Sequence, residues 1–240
     1  MNEQELFRTL RKTEEKVLSK RKHQGCEEFK RPWQTPLKKL NLNEDYIYEI
    51  EYPSEDESLG SIAIAWRLDE EISDNIEMLE AYKLVMKYLT VTQVSPLEVA
   101  FVENNDPLAT SVSSETLEVR EPSILMEFEN VPVDRLDEVV PKLEKVLKDI
   151  VADGPEKFDL ERITNFIEQE VINNLKEIEN SPHLFVPDAS VLDMLYGESN
   201  KDLEKFVTSS QSNKKYLQKN STFWIDLIRF KIIEQTCFTV

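Results

Sequence analysis

Two histidines, His23 and His183, are the only imidazoles in this 240-residue chain, and they stand 160 positions apart. A zinc peptidase needs two imidazoles one helical turn apart, with a carboxylate beside them to take a proton from metal-bound water. Neither HExxH nor its inverse HxxEH occurs. His23 and Cys26 have a two-residue gap, but the arm around them offers no further ligand of the same kind. His183 follows Glu179 by four positions, and Pro182 breaks the turn that would join them. A solvated or capping role is expected for it. A Ser–His–Asp arrangement would have to use one of these two histidines, and no strand–Ser–helix elbow with flanking glycines is present. A cysteine nucleophile would have to be Cys26 or Cys237, and sequence places neither beside a histidine. The 47 carboxylates single out no acid–base pair. Gly25, Gly60, Gly154 and Gly197 each stand alone, where ordinary usage would give roughly 17 glycines. A Walker-type or Rossmann-type loop needs two or three close together, so both are excluded. The expected catalytic, cofactor-binding and metal-ligating sets are therefore empty, and Trp33, Trp66 and Trp224 read as core or interface anchors.

Charge narrows the partners. The formal net charge is -18. Residues 1–32 carry nine Lys or Arg against six Asp or Glu, so residues 33–240 hold a net charge of -21. Nucleic acid and anionic membranes both require a basic footprint, and neither is an expected partner of such a body. A basic peptide or basic protein surface fits it better. The longest apolar stretch is far short of the roughly 20 residues that span a bilayer. Arg8, Arg11, Lys12 and the basic run Lys20 to Lys22 give the first segment a presequence-like look. Glu3, Glu5, Glu14 and Glu15 contradict it, because transit peptides are poor in acids. Two cysteines without local spacing read as reduced thiols, and the expected compartment is the cytoplasm.

The elements follow from periodicity. Residues 1–32 read as an exposed helical arm or linker, with Leu6, Leu10, Val17 and Leu18 among many charges. Pro32, Trp33 and Pro36 mark the start of a domain over 33–240. Tyr46, Tyr48, Ile50 and Tyr52 alternate with Ile47, Glu49 and Glu51, the period of a half-buried strand that Pro53 ends. Ile62, Ile64, Trp66 and Leu68 predict a second strand whose large face accepts a helix. Asp74 with Glu77 predicts a capping box for a helix over 75–88, and Pro96 opens a short helix over 96–102. Ile124, Met126 and Phe128 form another strand, stopped by Pro132. Leu136, Val139, Val140, Leu143, Val146, Leu147 and Ile150 make the clearest amphipathic helix, ended by Gly154 and Pro155. Asp159 caps the next, with Ile163, Phe166, Ile167, Val171, Leu175 and Ile178 on one face. Short helices are expected over 190–195, 202–207 and 223–233, and a strand over 236–240. This order predicts an α+β fold, a mainly antiparallel sheet with helices on one face. A strand at the last residue suggests a domain truncated at its C-terminus.

Several short stretches carry a resemblance: Gly60 to Trp66 (GSIAIAW), Tyr88-Leu89-Thr90, Ser95-Pro96-Leu97, Phe101-Val102-Glu103 and Asp106 to Ala109 (DPLA). Phe128 with Val131-Pro132, Asp159 with Arg162, Leu195-Tyr196-Gly197, and Trp224 with Leu227-Ile228 continue it in the same order. Together they resemble a non-catalytic domain of the pitrilysin/insulinase family of zinc metallopeptidases, in its presequence-protease-like or fungal cytosolic branch. In that family four similar domains form a clamshell around a peptide, and the first supplies HxxEH and a distant glutamate for zinc. The resemblance is to the second domain. It implies a scaffold or chamber domain, inactive alone, whose partners are sister domains, with zinc and peptide substrate belonging to a complete enzyme. A stand-alone acidic module that binds a basic protein is the competing expectation.

Overall fold

A computed structural model of the chain describes residues 3–20, 45–54, 56–68, 72–119, 121–197 and 202–240. His23, Cys26, Pro32, Trp33 and Pro36 lie outside the described residues. The chain divides into two units, Met1–Leu40 and Asn41–Val240. In the first, helix α1 (Glu3–Lys20) buries none of its residues, as its interrupted apolar pattern predicts. Leu6, Phe7, Leu10, Val17 and Leu18 are all exposed.

The second unit has the α+β architecture that the sequence predicts. Its strands are β1 (Tyr46–Ile47), β2 (Leu59–Arg67), β3 (Ser111–Leu117), β4 (Ser123–Pro132) and β5 (Cys237–Thr239), in the order β1-β5-β2-β4-β3. Every pairing is antiparallel except β1 with β5. One sheet face carries Ile62, Ile64, Trp66, Val112, Ile124, Met126 and Phe128, all buried. Alternation sends their neighbours to the opposite face, and the helices cover the apolar one.

Helix α2 (Ile72–Thr90) is central. It touches β3 as well as the helices α5 (Leu160–Asn180), α7 (Asp202–Ser212) and α8 (Ser221–Ile228). The sequence predicts one apolar face, but Ala81, Leu84 and Tyr88 are buried too. A helix packed between a sheet and other helices needs apolar residues on several sides. Its start also differs from expectation. Asp74 lies inside the helix rather than before it, since the helix takes in Ile72. Glu77 pairs with Lys215.

Helix α3 (Pro96–Phe101) begins as expected at its proline. Helix α4 (Val139–Asp153) buries Val139, Leu143 and Leu147, and a 3-10 turn over Val133–Glu138 precedes it. Gly154 ends it at φ 77, a conformation that costs a residue without Cβ little. At α5 the Asp159 carboxylate accepts from the Arg162 main-chain N–H at 2.9 Å, the expected cap. Leu175, expected on the buried face, is exposed because α5 outruns the core it covers.

Three further expectations change. Helix α6 (Pro182–Tyr196) starts eight residues before the expected Ser190 and contains Pro187. Its early proline removes a helical donor without ending the helix. Helix α7 continues to Ser212 and then tightens into a 3-10 stretch, Asn213–Gln218. Finally, β1 is two residues long, against the seven that alternate in sequence. Its partner β5 supplies ladder positions only opposite Tyr46 and Ile47, with one more bond from Tyr48 N–H to Thr239 O at 2.8 Å. A strand needs a neighbour to satisfy its main chain.

Candidate functional site

The face of the sheet away from the helices is the candidate. Its rows can be read across the registers. Glu115, Leu125, Ala65, Phe238 and Tyr46 lie in one row; Ser113, Glu127 and Ala63 form a second; Leu117, Ser123 and Arg67 form a third. The middle of this face is made of small side chains, because β2 places Ser61, Ala63 and Ala65 between its large residues. A shallow shelf results. At one side an aromatic corner closes it, with the Tyr48 and Phe238 rings stacked at 5.0 Å and 21° and Tyr46 stacked on Phe238 at 6.4 Å. At the other side stand carboxylates. Ser111 Oγ donates to Glu129 at 2.9 Å, whereas Glu115 and Glu127 have no cationic partner among the described residues. Arg67 is tied to Glu121 at 3.2 Å.

This shelf can hold a chain against it, and no histidine lies on it among the described residues. Cys237 sits beside it in β5, half-buried and free. Burial and then the nearby Asp45 carboxylate push its thiol pKa up, so it remains protonated and a poor nucleophile. His183 is exposed on α6. Among the described residues, no group of three or more His, Cys, Asp or Glu side chains could hold a metal ion. Trp66 and Trp224 are both in the core, the anchor role that their sequence suggests.

The helical layer holds two polar clusters that spacing alone does not reveal. In the first, Arg162 reaches from α5 into the turn after α2. Its guanidinium donates to Tyr88 O at 2.8 Å, Thr92 Oγ1 at 3.1 Å and Ser95 Oγ at 2.5 Å, and lies 4.8 Å from the Tyr88 ring centre. Burial lowers its pKa from the ordinary value, and burial raises that of Tyr88. Tyr88, Ser95, Asp159 and Arg162, which carry part of the family resemblance, thus meet at one point. They lock α5 onto the α2–α3 turn, a structural role that their separation in sequence conceals. In the second cluster, buried Glu80 accepts from Lys83 at 2.8 Å and from Asn213 at 3.1 Å. Burial opposes the Lys83 charge, but Glu80 and Glu118 outweigh it and its pKa rises.

Beside that cluster is a groove of about 460 Å³, lined by Glu77, Met78, Lys215, Tyr216, Gln218, Lys219 and Phe223. Lys215 is paired with Glu77, and burial followed by the Lys219 charge lowers its pKa. The Tyr216 hydroxyl donates to Glu77 O at 2.6 Å, and burial with Glu80 nearby pushes its pKa to about 12. Both groups are occupied in holding the 3-10 stretch to α2.

No family model matches the chain. Two curated relatives do. It is 27% identical over 202 residues to the uncharacterised protein C05D11.1 of Caenorhabditis elegans, covering 83% of this chain and 20% of that one. It is 24% identical over 217 residues to the uncharacterised protein C3H1.02c of Schizosaccharomyces pombe, covering 88% and 20% respectively. The chain therefore spans about one-fifth of the length of the curated relatives it matches.

Solved structures define the fold class. The inactive peptidase domain of a Bordetella parapertussis protein described as a zinc protease superposes with a TM-score of 0.57 at 14% identity, covering 78% of this chain and 92% of that one. An Alicyclobacillus acidocaldarius protein described as an M16-like peptidase gives 0.54 at 12% identity, covering 79% and 41%. A Yersinia pestis protein described as an insulinase family protease gives 0.55 at 10% identity, covering 75% and 38%. The fold is that of M16-like and insulinase-type peptidase domains, inactive ones among them. In the latter two cases the matched region is less than half of a longer chain.

Proposed function

We propose that this chain is a non-catalytic peptidase-like domain whose open sheet face forms part of the wall of a peptide-enclosing chamber. The observation that carries this reading is the contrast between the two sides of the sheet. One side is fully used by helices, while the other is a shallow shelf of Ala63, Ala65 and Ser61 flanked by aromatic and acidic side chains. A wall requires surface without chemistry. Likeness to an inactive peptidase domain over 92% of that domain's length supports the reading. Sister peptidase-like domains are the proposed partners, and the longer chains of the relatives support that. Residues 1–32 act as the connecting arm and 33–240 as the domain. No residue of this chain serves as a catalyst, cofactor ligand or metal ligand; zinc belongs to an HxxEH domain elsewhere. The presequence-protease-like or fungal cytosolic branch, and with it a cytoplasmic location, is part of the same proposal and rests on the sequence resemblance. No helix among the described residues is long and apolar enough to cross a membrane.

Zinc analysis and hydrolysis of a quenched peptide library by the purified chain test the proposal. Substoichiometric zinc and no chelator-sensitive turnover are expected. Stoichiometric zinc with turnover abolished by chelator would reject it. A second reading, an acidic module for a basic protein, draws on Glu115 and Glu127, which lack cationic partners among the described residues. It predicts one stoichiometric basic partner in a pull-down, released steeply by salt.

A further inference from the structure

The groove beside α2 carries charge of the opposite sign to its surroundings. Residues 33–240 hold a net charge of -21, yet this groove is lined by two ammonium groups, Lys215 and Lys219, and one carboxylate, Glu77. Lys215 is paired with Glu77. Lys219 has no carboxylate partner among the described residues, so one positive charge is left over. Both ammoniums lie over aromatic rings, Lys215 at 5.1 Å from the centre of Tyr216 and Lys219 at 4.9 Å from that of Phe223. The two rings are stacked on each other at 5.9 Å and 25°. Behind them the buried Trp224 meets Phe223 edge-on at 5.0 Å and Tyr216 at 5.8 Å, so the floor of the groove is held from the core. The main chain is fixed as well. Lys219 N–H donates to Tyr216 O at 3.0 Å, and the Tyr216 hydroxyl holds Glu77 O. The groove volume of about 460 Å³ falls within the range of small-molecule sites, roughly 300–1,000 Å³.

We propose that this groove binds a small organic acid, one carboxylate on a flat apolar body. The carboxylate bridges Lys219 and the donors of Lys215 that Glu77 leaves over, since an ammonium has three N–H groups. Its apolar body lies on the Phe223 ring and against Met78, both of which line the groove. Hydrogen bonds between ionised partners are the strong ones, and they fix the orientation of the acid. Two neighbouring ammoniums also repel. After burial, the Lys219 charge is what lowers the Lys215 pKa, and an anion between them removes that repulsion. A single unpaired charge suits a monoanion, because Glu77 in the same groove repels a second negative charge. The groove lies in the helical layer, so the inference does not depend on the chamber reading.

Heteronuclear NMR titration of the isotope-labelled 240-residue chain tests it, with three probes: phenylbutyrate, the matching alcohol phenylbutanol, and acetate. Saturable shifts at the Tyr216, Lys219 and Phe223 amides are expected with phenylbutyrate, at a dissociation constant of about 1 mM or tighter for a ligand of this size. Phenylbutanol and acetate should each bind about ten-fold or more weakly, one lacking the charge and the other the apolar body. Lys219→Gln, checked for an unchanged circular dichroism spectrum, should weaken phenylbutyrate binding by about ten-fold. Lys214→Gln, at an exposed lysine outside the groove lining, should leave it unchanged. No saturable shift overturns the proposal, and so does equal binding of the alcohol or of acetate. Equal weakening by the two lysine variants would mean attraction by diffuse charge and overturns it too. A peptide ending in a free phenylalanine carboxylate that binds about ten-fold or more tightly than phenylbutyrate would assign the groove to a chain terminus and also overturn it.

Discussion

The two faces of the β-sheet are made by the same strands, residue by alternating residue, yet they obey different rules. On the helix side, Ile64, Trp66, Ile124, Met126 and Phe128 are almost wholly buried, and Phe101 of α3 lies 4.7 Å from the Phe128 ring. On the open side, Ala63, Ala65 and Leu125 are only half-buried. Stability is concentrated on the first face. The second keeps small and half-buried side chains, which is what the proposed chamber wall calls for.

The largest expected contrast compares Phe128→Ala with Leu125→Ala, three positions apart on β4. Emptying the Phe128 site should cost about 3–5 kcal/mol in urea denaturation, because both transfer energy and a cavity are involved. Leu125→Ala should cost less than about 1.5 kcal/mol, since only a half-buried side chain is lost. Equal losses would mean that the open face is packed in solution. Next comes Arg162→Ala. Removing the guanidinium takes its donor from the Tyr88 carbonyl and leaves the Ser95 hydroxyl with Thr92 alone, and roughly 2 kcal/mol should be lost. Arg162→Lys should recover little, because an ammonium lacks the flat face that the guanidinium lays 4.8 Å from the Tyr88 ring centre.

A smaller effect is expected at the start of α5. Asp159→Ala removes the acceptor for the Arg162 N–H and should cost about 1 kcal/mol. Asp159→Asn should restore most of it, which separates capping from charge. The smallest effect lies at the surface, where Arg135 holds Asp106 at 2.8 and 3.0 Å and Glu138 at 3.0 Å. Hydrogen bonds from Arg135 lower both carboxylate pKa values. A carboxylate with a depressed folded pKa stabilises the fold above its unfolded value and loses that contribution as pH falls through the folded one. The Tm of the chain should thus exceed that of Arg135→Gln at pH 6, and the gap should close as the pH falls below about 4. A gap unchanged by acid would show that packing rather than charge carries the difference.

What could be read in the sequence follows the same division. The helix-side residues of β2 and β4 were legible because large apolar side chains alternate without interruption, and Gly154 and Asp159 mark helix ends by local chemistry. Strand β3 was not, because Ser111, Ser113 and Ser114 dilute the alternation of Val112 and Leu117, and pairing with β4 rather than propensity makes it a strand. Asp74 misled in the opposite way. A capping motif specifies a helix start only if the chain before it is not already helical, and here the helix takes in Ile72. The absence of an HxxEH or HExxH motif is read directly from the residues. The open face and the Arg162 cluster are not, since each joins residues that are distant in sequence.

The insertion of β5 between β1 and β2 has a consequence for synthesis. The bond from Cys237 N–H to Asp45 spans 192 residues, so two neighbouring strands of one sheet are made far apart in time. At an elongation rate of about 5–20 residues per second, β1 and the edge of β2 wait on the order of ten seconds or more for the strand that joins them. During that interval the helices can assemble on β2, β3 and β4, whose contacts lie closer in sequence, while Tyr46 to Tyr52 stays without its partner. The segment that completes the sheet last is also the one most open to capture by another chain.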